Sequence, residues 1–137
     1  MLCALFAMAC GGGDDGPRGS LAVSLDEFSV EPEAEETTNG RLTLNVSNAG
    51  VVPHRLVVVK SDFPPSQLPV RDSAVELDKL NVVGQLDSLA AGGTASLDVN
   101  LSPGKYVLLC TLVERPAAGS VVSHYEQGMY AGFFIEQ

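Results

Sequence analysis

Short runs in which every second residue is apolar constrain this chain more than any other feature. Leu21, Val23 and Leu25 alternate with other residues in LAVSLDEFSV, as do Leu42, Leu44 and Val46 in RLTLNVSN. TASLDVNL repeats the pattern with Leu97, Val99 and Leu101. Successive side chains of an extended strand point to opposite faces, so period-two spacing marks half-buried strands. HRLVVVKSD and KYVLLCTL are denser apolar runs and read as central strands, and GMYAGFFIEQ reads as a last strand. Turn chemistry separates these runs at TTNG (37–40), SNAG (47–50), AAGG (90–93) and SPG (102–104).

Between Phe63 and Gln85 the pattern weakens. DFPPSQLPV is broken by prolines, which cannot donate to a ladder, so it cannot form the centre of a sheet. SAVELDKLNVVGQLDSL has apolar spacing compatible with one helical turn or two short edge strands. No stretch has the length and period of an ordinary amphipathic helix, and no internal repeat is present. Seven or eight strands at intervals of about ten residues, with almost no helix, predict an all-β fold, a β-sandwich.

The charge balance narrows the function. Asp and Glu number 17 against 8 Lys and Arg, giving a net charge of −9 and a pI near 4.4. Phosphates would repel such a surface, which argues against nucleic acid as a partner. It suits solubility, metal ions or a basic protein partner.

The N-terminus, MLCALFAMACGGGDDGPRGS, reads as an address rather than as fold. Residues 1–9 carry no charged side chain and end in Ala7-Met8-Ala9, a small-x-small cleavage pattern, so they are expected to form a signal peptide. Cys10 opens a Gly-Gly-Gly-Asp-Asp run, and residues 10–20 read as a flexible tether to a domain spanning 21–137. The arrangement resembles a bacterial lipoprotein leader, which makes Cys10 the expected acylated residue and a lipid the only membrane attachment. An ordinary secretory signal is the alternative. Both readings put the domain outside the cytoplasm, in the periplasm, at the cell surface or secreted. The apolar run is far shorter than the roughly 20 residues that a spanning helix requires.

Cysteine usage sharpens this. Cys3 lies in the leader and Cys10 at the expected acylation site, so Cys110 is alone in the domain and cannot form an internal disulfide. A lone thiol in an oxidising compartment is a liability unless it is buried or holds a metal. The chain has two histidines. His54 opens a strand after NAGVVP, Cys110 ends GKYVLLC, and SHYEQGM supplies His124 and Met129. Taken singly, a buried cysteine, an exposed histidine and a core methionine are ordinary. Their joint order, His, Cys, His, Met, is the donor set of a trigonal His₂Cys copper site with a weak axial methionine.

In NAGVVPH, PGKYVLLC and SHYEQGM the sequence resembles the cupredoxins, the plastocyanin- and azurin-like or sulfocyanin-like blue copper domains. The likeness runs from about Leu21 to Ile135 and implies a Greek-key sandwich holding one type 1 copper ion. His54, Cys110 and His124 would be its ligands, with Met129 axial. Arg55, Thr111 and Gly128 are the expected supports around them. The implied role is single-electron transfer by a monomer to a redox partner such as a cytochrome or an oxidase subunit. The resemblance also implies no enzymatic activity, since catalytic copper centres need further histidines in H-x-H pairs. Nothing in the chain resembles a nucleophile elbow either.

Two positions depart from the family pattern. Relatives usually place two to four residues between the cysteine and the second histidine, whereas thirteen, TLVERPAAGSVVS, lie between Cys110 and His124. Arg55 also stands where relatives often have an asparagine bonded to the residue after the cysteine, here Thr111. Surface copper handling (storage, delivery or sensing) and a metal-free binding sandwich are the competing functions.

Overall fold

The computed structural model describes residues 17–137. The leader, Cys10 and most of the tether lie outside the described residues. Strand β1 (Gly19–Asp26) buries Leu21, Val23 and Leu25 and exposes Ser20, Ala22 and Asp26, following the sequence period. Just ahead of Leu21, the Arg18 guanidinium donates to Leu42 O, Val99 O and Asn100 Oδ1 at 2.9–3.0 Å.

LAVSLDEFSV forms two strands rather than one. The chain reverses at Glu27–Phe28, and β2 (Ser29–Pro32) returns antiparallel to β1 with Asp26 opposite Ser29. On its other side β1 runs parallel to β4 (Arg41–Asn48), which pairs antiparallel with β9 (Thr94–Asn100). These strands make one sheet in the order β2-β1-β4-β9. The second sheet has five strands, β3 (Glu36–Thr37), β13 (Tyr130–Ile135), β10 (Gly104–Leu109), β5 (His54–Lys60) and β8 (Asn81–Leu89), in that spatial order. The chain is a Greek-key β-sandwich. Among the described residues nine strands form its two main sheets, against the seven or eight expected; the short β2 and two-residue β3 account for the difference.

Leu21, Val23, Leu25, Leu44 and Val46 from one sheet meet Leu56, Val58, Leu108 and Phe133 from the other in one core. Each buried Leu or Val side chain contributes about 1.5–3 kcal/mol. Strand β5 is buried on both faces, from Leu56 through Val59, because a further layer covers the second sheet. That layer is the proline-rich segment. It makes a 3-10 turn at Pro65–Gln67, a small hairpin of β6 (Val70–Arg71) and β7 (Ala74–Val75), and another 3-10 turn at Leu77–Lys79. Leu68 and Val75 cover Val57, Val59, Val107 and Leu109.

The segment read as one helical turn or two edge strands yields β7, the second 3-10 turn and the nine-residue edge strand β8. β8 is mostly exposed or half-buried and its register with β5 shifts twice, which is why its alternation is faint. Among the described residues no helix is long and apolar enough to cross a membrane.

Candidate metal centre

The three principal donors come from loop ends at one pole of the sandwich. Asn48, the last residue of β4, shapes the approach to His54: its side-chain amide donates to Val52 O and Leu89 O, and its Oδ1 accepts from Gly50 N–H, all at 2.9 Å. Cys110 follows β10 directly. His124 and Met129 bracket a tight turn ahead of β13, in which Gly128 N–H bonds Tyr125 O at 2.9 Å and Met129 N–H bonds His124 O at 3.1 Å. Gly128 has φ +110°, a conformation side chains disfavour, so the turn requires glycine.

His54, Cys110 and His124 are 0% exposed. His54 Nδ1 and His124 Nδ1 are 3.2 Å apart, and Cys110 Sγ lies 4.0 Å from the first and 3.6 Å from the second. A metal ion fits this triangle. With bonds of about 2.0 Å to nitrogen and about 2.3 Å to sulfur, these separations give angles of about 106°, 114° and 137°. Their total, about 357°, is close to the 360° of a flat trigonal site.

The outer ring nitrogens are also engaged. His54 Nε2 lies 2.7 Å from Glu27 Oε2, and His124 Nε2 lies 2.5 Å from Glu114 Oε2. Carboxylates only accept, so both Nε2 atoms donate and both Nδ1 lone pairs face inward. Two facing lone pairs at 3.2 Å repel each other, and a metal ion between them turns that repulsion into ligation. Glu27 is itself held by the Val51 and Val52 amides at 3.0–3.2 Å, and these amides, Val51 first, pull its pKa below the usual carboxylate value. Gly50 leaves room for it: a Cβ there would stand 2.2 Å from Glu27 Oε2. The Phe28 ring closes the other side of His124, edge-on with centroids 5.0 Å apart.

Burial pushes the Cys110 thiol up from its ordinary pKa, while hydrogen bonds from the Arg55 and Leu112 backbone amides pull it down. Arg55 N–H reaches Sγ at 3.3 Å. The Arg55 side chain also donates to Thr111 Oγ1 at 3.4 Å, so a guanidinium makes the link that relatives were expected to make with asparagine. Met129 is fully buried in the core cluster that contains Cys110, and its carbonyl accepts the Cys110 N–H at 3.1 Å.

The thirteen-residue excursion does not separate Cys110 from His124. Within it β11 (Val113–Glu114) and β12 (Val122–Ser123) pair antiparallel, and His124 N–H bonds Leu112 O at 3.0 Å. The tip, 115–121, is exposed, and its Arg115 donates to Asp72 O at 2.6 Å. Glu27, Glu114 and Phe28 escaped sequence reasoning. Two acids among 17 carry no local mark, and their histidines lie 27 and 10 positions away.

No family model matches the chain, and no curated protein does. Solved structures do. The dithionite-reduced auracyanin of Roseiflexus castenholzii is 22% identical, with a TM-score of 0.60, over 89% of this chain and all of that one. Auracyanin B is 16% identical, with a TM-score of 0.61, over 90% and 92%. Reduced rusticyanin is 16% identical, with a TM-score of 0.54, over 98% and 96%. The fold is cupredoxin-like. At these identities the likeness speaks for the fold, and the chemistry rests on the site itself.

Proposed function

We propose that this cupredoxin-like domain holds one copper ion between His54, Cys110 and His124, with Met129 as a weak axial ligand, and carries single electrons between redox proteins outside the cytoplasm. The carrying observation is the nearly planar convergence of two imidazole nitrogens and one thiol on a buried point. That donor set suits blue-copper electron transfer. Copper bound there supplies a one-electron couple, Cu(II)/Cu(I), filled by a reduced protein and emptied by an oxidised one.

The chain's own contribution is rigidity and dryness. His54 and Cys110 sit at the ends of paired strands, and His124 is tied to Leu112 and Met129, so a change of oxidation state meets a preset geometry. Two of the structural neighbours, auracyanin and rusticyanin, are described in reduced form, which supports a redox cycle on this fold. The leader with Cys10 supports an exported, lipid-anchored protein. The acidic surface and the Glu114–Ser123 loop suit a basic docking partner such as a cytochrome or an oxidase subunit.

Complete burial of the three donors favours retention over exchange, and hence a carrier over a copper-delivery protein. An oxidase reading lacks ligands, because both histidines of the chain are already in the cluster. The test is repeated anaerobic reduction and reoxidation of the copper-loaded protein beside an external chelator. A carrier takes up one electron per protein each cycle and keeps its metal. Loss of copper on reduction supports delivery instead, and failure to reduce reversibly overturns the proposal.

A further inference from the structure

Both ligand imidazoles end on carboxylates, and the two carboxylates arise from unrelated parts of the chain. Glu27 lies in the β1–β2 reversal, pinned by two loop amides. Glu114 lies on the hairpin inserted between Cys110 and His124, with its side chain 45% exposed. His54 and His124, by contrast, are fully buried. We infer that Glu27 and Glu114 are paired positioning residues that fix both imidazoles with Nδ1 toward Cys110 and bias the centre toward divalent over monovalent metal. The inference rests on reading His54, Cys110 and His124 as metal ligands.

The argument has two parts. A neutral imidazole carries one ring proton, and a carboxylate on Nε2 holds it there, leaving Nδ1 as the ligating atom. Two carboxylates behind the imidazoles and one thiolate between them put three negative charges around the ion. Coulomb attraction from that set grows with the charge of the ion, so a 2+ ion gains more than a 1+ ion in a site shielded from water. The inserted hairpin thereby acquires a function, because it delivers Glu114 to His124.

The test uses the metal-free chain and two redox-inert probes, Co(II) and Ag(I), with affinities taken from competition titrations. Glu114→Gln keeps an acceptor for Nε2–H but removes the charge, and its exposed position keeps folding out of the comparison. Expected is a 10–100-fold loss of Co(II) affinity, the usual range for removing a partner behind a ligand, with a much smaller change for Ag(I). Glu27→Gln should act in the same direction. Nitrogen NMR of the metal-free protein gives a second readout. Both imidazoles should carry the proton on Nε2, and Glu114→Ala should release that preference at His124 alone.

An unchanged Co(II)-to-Ag(I) affinity ratio in both Gln variants overturns the inference, as does an Nδ1-protonated tautomer in the parent protein. If copper gives no reversible couple while the ratio shifts as expected, the electron-carrier reading fails and this inference stands. If the couple is intact and the ratio unchanged, this inference fails alone.

Discussion

Cys110 is held between opposing influences: burial favours the neutral thiol, and two backbone amides favour the thiolate, with burial the larger. An unfolded cysteine titrates near 8.5. A thiol whose pKa is raised by folding keeps its proton in the native state after the unfolded chain has lost it. The metal-free protein therefore holds full stability below about pH 8.5 and loses it as pH rises through the native value. Urea midpoints should fall between pH 8 and 10, and Cys110→Ser should flatten that slope. Because a metal takes the thiolate, loading at neutral pH should release about one proton per ion, read by calorimetry in buffers of different ionisation heat. Arg55 separates backbone from side chain. Its N–H serves the sulfur and its guanidinium serves Thr111. Arg55→Ala should cost about 1 kcal/mol of stability and leave metal binding in place; loss of binding would assign the support to the guanidinium.

At the scale of elements, the inserted hairpin and the His124–Met129 turn make opposite predictions. Replacing the exposed tip 115–121 with Asn-Gly should preserve metal affinity, since that turn suits the Glu114–Val122 pairing. Gly128→Ala forces a side chain into φ +110° and should cost on the order of 1–3 kcal/mol, measured by denaturation, with weakened metal binding. Strands β1, β4 and β9 were legible because one face of each meets the core and the other meets solvent, and β5 and β10 because both faces are covered. The convergence of His54, Cys110 and His124 was legible because histidine and cysteine are rare here and stand at strand ends. The segment from Ser61 to Leu80 was not, because its position depends on distant contacts. Tyr125 Oη donates to Pro65 O at 2.5 Å and accepts from Leu68 N–H at 3.0 Å, with no period to announce either bond. The two carboxylates were hidden for the same reason, since loops bring them to their histidines.

Across the whole molecule, the buried donors couple metal to folding. An ion that binds only the native state adds about 2.7 kcal/mol at 100 times its Kd, so thermal unfolding should shift upward with metal and remain unshifted in Cys110→Ser. Under the proposed carrier role, the net charge of −9 favours a basic partner, and association with a basic redox protein should slow as salt rises. The central claim is that two imidazoles and one thiolate hold copper at the pole of this sandwich. The visible spectrum of the Cu(II)-loaded protein beside its Cys110→Ser variant tests it most directly. An intense sulfur-to-copper band, absent from the variant and bleached by one-electron reduction, is the predicted result. A folded, copper-containing parent protein without that band would contradict it.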